Sequence, residues 1–383
     1  MKAGVSINNP FYCYATDWIR PQNQMHSVRT SYESIRRTEV DPTVSSCRPA
    51  KFWFVSRHGG RMPETPVMLE MFAFADSSIQ ADIIRNSDEG KSTMCRQDIE
   101  LIRNWVRDPN ITLEFESTTT EAGWTAMQNI GRRYQQFFPD LLPSTYDSDW
   151  FFFRSCFTQR SRASISAFAD GLFGDGGSQS VNFQPVPEFD FLIRPIAFCP
   201  AFQEETAHLR EQEAFEKGPE VQQMLAEVNR RLGFHDSERL NFRTIRTMFE
   251  WCRLETASRF ELSDSPIGEA SVWCAPFTIA HNEILEYYDD LGYYYFTGYG
   301  QFNLAQQSFR HWKTSYVTPN AANIVVVRYD CDDDDHDLLF LLNERPLHIP
   351  GCQPNGLCKA SFILNRLQRF IGVECQEFFC TDE

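Results

Sequence analysis

The sequence has little positive charge. Its 36 lysine and arginine residues stand against 52 aspartate and glutamate residues, which gives a formal net charge of -16 at pH 7. A protein that binds nucleic acid needs a basic surface to neutralise backbone phosphates. We therefore expect no nucleic-acid partner, and any anionic ligand must be held by a local group of arginines.

The sequence also lacks a long hydrophobic run. No stretch of about 18 apolar residues is present, which predicts no transmembrane segment, and the first residues, MKAGVSINNPFYCY, have no apolar core of signal-peptide length. Of the 383 residues in the chain, 42% are hydrophobic, and 33 residues are phenylalanine. Such a chain is globular and long enough for one large core with an inserted subdomain, or for two domains.

Twelve cysteines are scattered along the chain, without the paired short spacings of zinc sites. This pattern favours disulfides and an oxidising compartment, and Cys352 with Cys358 is the best local candidate for a bridge. The glycosylation sequon that begins at Asn110 agrees with that compartment. We expect a disulfide-bonded glycoprotein of the secretory pathway, extracellular or in the endoplasmic reticulum lumen, whose signal peptide is not present in this sequence.

Alternating strand-like and helix-like segments predict an α/β fold with a mostly parallel central sheet flanked by helices. Residues 51–56 are nearly all apolar, as in a strand buried on both faces, and a helix is predicted to start at Thr65-Pro66. A second strand is predicted at 150–155, followed by a helix. An amphipathic helix between these two units is predicted to start with a capping box of Thr118 and Glu121.

The later part of the chain predicts an insertion and a return to the sheet. Long charged helical stretches follow residue 200, and two strand-like segments flank the acidic loop DCDDDDHD at 330–337. We therefore predict an α/β core formed by residues 1–183 and 301–383. Residues 184–300 are predicted to form a mostly helical insertion that covers the site.

The segment KFWFVSRHGGRMPETP delivers three functional side chains to the turn after the first strand. Arg57 and Arg61 flank His58, and the planar guanidinium group of arginine matches phosphate oxygens better than a lysine does. A histidine between them can act as a general base or as a nucleophile that accepts a phosphoryl group. The alternative is a helix-capping turn with exposed arginines.

The motif RHGGRMP resembles the signature of the histidine acid phosphatases, and TQRSRASISAFADGLFG resembles the region that carries their further phosphate-binding arginine. Further segments, among them WCAPF, LEYYDDLGYYYFTGYG and LLFLLNERPLHIPGC, resemble the branch that acts on multiple inositol polyphosphates. The resemblance implies that His58 forms a phosphohistidine and that Arg57, Arg61 and Arg160 bind phosphate. It also implies substrates such as phytate, with bisphosphoglycerate as a second class, and no cofactor or metal.

One part of the family pattern is missing. Members of the family have a later His-Ala-Glu or His-Asp element whose acidic side chain protonates the leaving oxygen, and only QFNLAQQSFRH stands where it is expected. His281 and Glu283 imitate its spacing, but a helix N-terminal segment explains them better. The prediction is thus a phosphatase of inositol polyphosphates. The alternative is an inactive or impaired relative that only binds phosphorylated ligands.

Three other patterns have a rival interpretation. Cys156 and Arg162 have the spacing of a cysteine phosphatase, but the loop between them has no glycine, and a buried or disulfide-bonded cysteine is preferred. The acidic run with His336 could bind a metal, and a solvated loop is preferred. Arg132 and Arg133 could reach a highly phosphorylated ligand, although an exposed helix face explains them equally well.

Overall fold

The computed structural model describes most of the chain, in two compact units. The described residues are 11–36, 40–190, 193–200, 209–262, 271–297, 313–332 and 335–374. The first unit contains Met1–Ser34, Met62–Thr118 and Leu209–Pro319, and the second contains Ile35–Arg61, Thr119–His208 and Asn320–Glu383. The segment in which the family's proton donor is expected, together with His311, lies outside the described residues.

The second unit contains the sheet, with strand order β1-β2-β3-β4 and with β5 paired to β3. Its strands are β1 (Cys47–Ser56), β2 (Asn323–Cys331), β3 (Asp337–Leu342), β4 (Arg345–Pro346) and β5 (Leu357–Lys359). The two strands predicted around the acidic loop are confirmed as β2 and β3. The mostly parallel sheet is not confirmed, because every strand pair among the described residues is antiparallel.

Strand β1 is also less buried than its apolar sequence predicts. Along the strand, partly buried residues alternate with exposed ones, and Trp53 is 52% exposed. Phe52 and Phe54 face helices on one side of the sheet, whereas Trp53 and Val55 on the other face are exposed, unlike the residues of a central parallel strand. The prediction of a strand buried on both faces was therefore wrong.

Two helices pack on the inner face of the sheet, α5 (Glu121–Phe137) and α6 (Gln159–Phe173). Ring contacts join β1 to both of them. The centroids of Phe52 and Tyr134 of α5 are 5.5 Å apart, and those of Phe54 and Phe168 of α6 are 4.3 Å apart. The end of β1, where the predicted site begins, is thus held against the same two helices.

The predictions for these helices were partly right. The helix predicted after residue 155 is confirmed as α6, which ends at Phe173. The N-cap of α5 is Thr120, whose Oγ1 accepts a hydrogen bond from the Gly123 amide, so the capping box of Thr118 and Glu121 was wrong. Residues 151–156 form no regular secondary structure, so the second predicted strand is not confirmed.

The first unit is helical in its described residues. Its helices are α1 (Tyr32–Ile35, whose last residue belongs to the second unit), α2 (Thr65–Ala75), α3 (Ile79–Asp88), α4 (Arg96–Arg103), α7 (Arg210–Glu216), α8 (Pro219–Leu232), α9 (Phe242–Leu262), α10 (Ile279–Thr297) and α11 (Thr314–Val317). A further helix of the second unit, α12 (Ala360–Arg366), follows β5. The core of the first unit contains Trp105, whose ring meets those of Trp251 and Trp273 edge to face.

Disulfides stabilise both units. The structure has the bridges Cys13–Cys95 and Cys252–Cys274 in the first unit and Cys47–Cys331 and Cys352–Cys358 in the second. The predicted bridge between Cys352 and Cys358 is thus confirmed. Among the described helices, none combines the length and the apolar character that a membrane span requires.

Candidate active site

The candidate site begins where strand β1 ends, and the pairing of β1 with β2 continues into it. The amide of Arg57 donates to the carbonyl of Ala322 at 2.8 Å, and the amide of Ala321 donates to the carbonyl of His58 at 3.0 Å. The backbone of the predicted nucleophile therefore extends the β ladder and is fixed by the segment that leads into β2.

The first turn of α5 holds the two glycines that follow His58. Thr120 binds the carbonyl of Gly60 through both its amide, at 3.0 Å, and its hydroxyl, at 3.2 Å. A Cβ atom on Gly59 would lie 2.2 Å from the carbonyl oxygen of Gly123. The motif RHGG thus uses glycine to admit the backbone of a helix, since no larger residue leaves room for it.

Helix α6 brings the fourth predicted residue to the same loop. The hydroxyl of Ser164 accepts a hydrogen bond from the Gly59 amide at 2.9 Å and donates to the carbonyl of Arg160 at 2.7 Å. Arg61 forms a backbone bridge with Thr119, whose hydroxyl contacts the carbonyl of Arg160 at 3.3 Å. The loop that carries His58 and the first turn of α6 are therefore tied together by short polar contacts.

The imidazole of His58 has a fixed tautomer in this arrangement. Its Nδ1 atom lies 2.8 Å from the carbonyl oxygen of Gly59. A carbonyl can only accept, so Nδ1 must carry the hydrogen of this bond, and the lone pair belongs to Nε2. Such a ring can attack an electrophile through Nε2 without first losing a proton.

The surroundings of His58 disfavour its charged form. Burial lowers its pKa from 6.5 to about 2, together with the positive charge of Arg57 and, to a smaller extent, of Arg61 and Arg160, while the bond to Gly59 opposes the shift. Like charges and loss of solvent both raise the free energy of an imidazolium ion. The structure thus brings the four predicted residues together as a neutral histidine among three guanidinium groups.

Arg132 and Arg133, predicted as possible further ligand contacts, have partners within the protein. Arg133 forms a two-pronged ion pair with Glu344, with N–O distances of 2.7 and 2.8 Å. Arg132 contacts Asp175 at 3.0 Å on the surface. Arg132 lies on an exposed helix face, as that alternative predicts, whereas Arg133 is partly buried in its ion pair, so an exposed face was wrong for Arg133.

Among the described cysteines, Cys156 is a free thiol and is buried. Of the two alternatives predicted for it, the buried cysteine is confirmed and the disulfide-bonded one is not. Its sulfur lies 2.9 Å from the hydroxyl of Ser161 and 3.4 Å from that of Thr158. Burial raises the pKa of this thiol, but the hydrogen bonds with Ser161 and Thr158 outweigh burial, and the pKa is lower than usual. Arg162 is exposed.

His281 is a structural residue of the first unit. The Thr278 hydroxyl accepts from the His281 amide at 3.4 Å, and the His281 Nδ1 atom accepts from the Thr278 amide at 3.3 Å. This is a capping box with histidine in the place of glutamate. The Nε2 atom lies 3.0 Å from Glu227, so both ring nitrogens are engaged, and the helix N-terminal interpretation is confirmed.

The acidic loop makes contacts within the second unit. Asp335 accepts from the Ser361 amide at 3.1 Å, Asp337 lies 3.3 Å from the ammonium group of Lys359, and His336 lies 3.3 Å from Asp330. These contacts fasten the loop to strand β5 and the helix that follows it. They agree with the preference for a loop over a metal site.

Sequence reasoning missed four residues that hold the His58 loop, namely Thr120, Gly123, Ser164 and Ala321. Small and hydroxyl residues are common in helices and loops, so their types alone gave no signal. The register of the two strands could have indicated Ala321, because it stands two residues before Asn323, the partner of Ser56.

Comparison with known proteins agrees with this geometry. Residues 52–308, well over half of the chain, match the histidine phosphatase superfamily (branch 2). The chain belongs to this family. The match includes the histidine-bearing loop, α5 and α6.

Curated relatives of the family include two proteins named multiple inositol polyphosphate phosphatase 1. The chain is 27% identical to the Drosophila melanogaster protein, over 98% of this chain and 91% of that protein. It is 26% identical to the Homo sapiens protein, over 68% of this chain and 53% of that protein.

Solved structures of histidine phosphatases share the fold. The phytase from D. castellii superimposes with a TM-score of 0.67 at 14% identity, over 93% of this chain and 87% of that one. A multiple inositol polyphosphate phosphatase of Bifidobacterium longum, solved with inositol hexasulfate, gives a TM-score of 0.56 at 12% identity, over 90% and 97%. At these identities the likeness shows the fold alone.

Proposed function

We propose that this chain is a phosphomonoester hydrolase of inositol polyphosphates such as phytate, which acts through a phosphohistidine at His58. The observation that carries the proposal is the neutral His58 ring, with Nδ1 bound to the carbonyl of Gly59 and with Arg57, Arg61 and Arg160 around it. Family membership and the names of the curated relatives support the substrate class.

The proposed reaction has two steps. In the first, the Nε2 lone pair of His58 attacks phosphorus in line, the P–O bond to the inositol oxygen breaks, and that oxygen takes a proton from water to leave as the alcohol. In the second, water attacks the phosphorus of the phosphohistidine and the P–N bond breaks. Hydrogen phosphate leaves, the second proton of the attacking water returns to solvent, and the neutral ring is restored. Both displacements depend mainly on positioning and on electrostatic stabilisation.

The three arginines serve both steps. Negative charge spreads over the equatorial phosphoryl oxygens in each transition state, and guanidinium groups are the donors best suited to it. The same positive charge that keeps the free His58 ring neutral stabilises the ring once it carries a dianionic phosphoryl group. One charge arrangement thus favours the nucleophile before attack and the intermediate after it.

The second candidate is a relative that binds phosphorylated ligands without turning them over. Its support is the missing proton-donor element, because expulsion of an alkoxide without a general acid costs about 100- to 10,000-fold in rate. Among the described residues, Arg57, Arg61 and Arg160 are the charged groups with the largest influence on the His58 pKa. His281 is occupied as a helix cap, so the search for a proton donor turns to Glu283 or water.

The disulfides of both units support placement of the chain in the secretory pathway. Bisphosphoglycerate is a second proposed substrate, because its phosphate esters present the same group to the arginines. Each of these proposals can be tested apart from the chemistry at His58.

The test is phosphate release from inositol hexakisphosphate between pH 4 and pH 8, together with trapping of the phosphohistidine by an alkaline denaturing quench. His58→Ala should abolish both signals, and Arg160→Ala should reduce them by about 100-fold. Arg132→Ala is the matched control, since it removes an arginine that pairs with Asp175, and it should change neither. Ligand binding without turnover in the folded wild-type chain would instead establish the second candidate.

A further inference from the structure

Ala321 has a backbone conformation that alanine rarely adopts. Its φ angle is +57°, and its side chain is fully buried. A residue with a Cβ atom is disfavoured in this left-handed region, and it persists there only when its surroundings determine it. Its amide donates to the carbonyl of His58, so the residue with the unusual conformation is hydrogen-bonded directly to the backbone of the proposed nucleophile.

The side chain of Asn323 holds Ala321 in place. Its Nδ2 group donates to the carbonyl of Ala321 at 3.1 Å, and its Oδ1 atom accepts from the hydroxyl of Tyr134 at 2.8 Å. Asn323 and Tyr134 are both buried. Three successive hydrogen bonds therefore connect the tyrosine ring to the backbone of His58.

A second asparagine fixes Asn323 from the other side. The Asn323 amide donates to the Asn343 side-chain oxygen at 2.8 Å, and the Asn343 amide donates to the Asn323 carbonyl at 2.8 Å. Asn343 and Glu344 also have positive φ angles, of 52° and 59°. This turn after β3 is anchored by the ion pair of Glu344 with Arg133, which is the neighbour of Tyr134 on α5.

Helix α5 thus contacts the His58 loop at two places. Its first turn binds Gly60 through Thr120 and meets Gly59 at Gly123. Three turns later Tyr134 reaches Asn323 and, through it, Ala321. Helix α5 can therefore fix the position of His58 in two ways. Its first turn holds the glycines that follow His58, and Tyr134 holds, through Asn323, the segment before β2 that pairs with His58.

We propose that Tyr134 and Asn323 are positioning residues that hold the His58 loop in its reactive geometry through the left-handed Ala321. This role rests on the proposed function, because only a reacting histidine needs such a support. Neither residue needs to touch substrate. Their loss should lower the rate of His58 phosphorylation while phosphate affinity, which depends on the arginines, changes little.

The experiment compares two buried tyrosines of the second unit, Tyr134 of helix α5 and Tyr329 of strand β2. Tyr134→Phe removes the hydroxyl that binds Asn323. Tyr329→Phe removes a buried hydroxyl that binds the carbonyl of Pro42 at 2.7 Å, on the part of β2 far from His58. Asn323→Asp is a second test variant, because it keeps the acceptor for Tyr134 and loses the donor to Ala321. Urea unfolding shows that each variant is folded.

The primary readout is the tautomer of His58, observed by ¹⁵N NMR of histidine-labelled protein and assigned through His58→Ala. The wild type should show a protonated Nδ1 and an unprotonated Nε2. In Tyr134→Phe and Asn323→Asp the two shifts should move toward each other, and phosphohistidine formation should slow about 10- to 100-fold. In Tyr329→Phe both should match the wild type.

The proposal is overturned if Tyr134→Phe and Asn323→Asp keep the wild-type tautomer, or if Tyr329→Phe disturbs it equally, which would indicate a general loosening of the strand. A wild-type chain that forms no phosphohistidine would end the proposed function, yet the tautomer comparison still decides whether Tyr134 and Asn323 set the geometry of His58. The two failures are therefore distinguishable.

Discussion

The Nδ1 atom of His58 and the carbonyl oxygen of Gly59 lie 2.8 Å apart in consecutive residues. This contact fixes which ring nitrogen carries the proton, and the surrounding arginines oppose a second proton. Most enzymes that need a neutral imidazole must avoid acid pH, because histidine ordinarily titrates near pH 6.5. Because burial and Arg57 lower the pKa of His58 to about 2, its imidazole stays neutral at acid pH as well.

The first prediction is that His58 does not titrate between pH 5 and pH 8. Burial and Arg57 lower its pKa to about 2, so the neutral form should predominate throughout this range. The ¹⁵N shifts of His58 should stay constant while those of free histidine change around pH 6.5. A titration midpoint near 6.5 for His58 in the folded chain would contradict the proposed electrostatics.

The second prediction concerns stability in acid. Burial lowers the pKa of His26 to about 3, and burial also lowers the pKa of His281, although its bond to Glu227 opposes the shift. The unfolded chain binds these protons at a higher pH than the folded chain does. The stabilising contribution of each histidine is therefore complete above pH 6.5 and is lost progressively below it, for His26 by about 1.4 kcal/mol per pH unit between its two pKa values.

Urea unfolding at pH 7.5, 6 and 5 measures this loss. His281→Gln should keep the cap, because glutamine suits the same position of a capping box, and it should make the loss of stability between pH 7.5 and pH 5 smaller than in the wild type. His235→Gln is the matched control, since it makes the same replacement at an exposed histidine. Equal losses for wild type and His281→Gln would show that His281 does not contribute.

The third prediction tests the contact of α5 with the His58 loop. A Cβ atom at Gly123 would lie 2.0 Å from the carbonyl oxygen of Gly60, a backbone atom that cannot rotate away. Gly123→Ala should therefore destabilise the chain by about 1 to 3 kcal/mol and displace the loop, with loss of phosphohistidine formation.

Gly90→Ala is the control for this substitution. Gly90 has a φ of +74° and no neighbouring atom within 4 Å, so alanine there meets a backbone cost of about 1 kcal/mol without affecting the site. Unfolding curves and phosphohistidine trapping compare the two variants. A fully active Gly123→Ala would mean that α5 does not set the position of the loop.

Local sequence pattern predicted the elements of the site but not all of their partners. The apolar run before Arg57 predicted β1, and the glycines with flanking arginines predicted the loop after it as a phosphate-binding loop, a role that stays a prediction. The direction of pairing was missed because an apolar run is compatible with parallel and antiparallel neighbours alike, and the exposed Trp53 gives no local signal.

The start of α5 shows why local motifs can point to the wrong residue. Thr118, Thr119 and Thr120 are consecutive, and each could cap a helix by its type. In the structure the hydroxyl of Thr118 donates to Phe115 and that of Thr119 to Arg160. Only Thr120 is left to cap, and this choice depends on contacts between segments that lie 40 residues or more apart in sequence.

The fourth prediction concerns glycosylation of Asn110. Asn110 lies in an exposed turn with its sequon threonine, Thr112, also exposed, so both side chains are accessible to the glycosylation machinery. When the chain is directed to the secretory pathway of a eukaryotic host, Asn110 should carry a glycan that peptide N-glycosidase F removes. Thr112→Ala should abolish the mass shift, whereas Thr16→Ala, outside any sequon, should not. An unmodified Asn110 in a secreted, folded chain would contradict the prediction.

The fifth prediction follows from the proton that the leaving oxygen needs. Among the described residues, the charged groups with the largest influence on the His58 pKa are Arg57, Arg61 and Arg160, and a positioned general acid contributes about 100- to 10,000-fold. Aryl phosphates, whose leaving oxygen needs no proton, should therefore phosphorylate His58 at least about 100-fold faster than alkyl phosphates. Single-turnover rates with p-nitrophenyl phosphate and glycerol 2-phosphate measure the ratio, and Glu283→Gln tests the remaining candidate acid. Similar rates for both esters would show that this chain does supply a proton, and a loss confined to the alkyl ester in Glu283→Gln would identify its source.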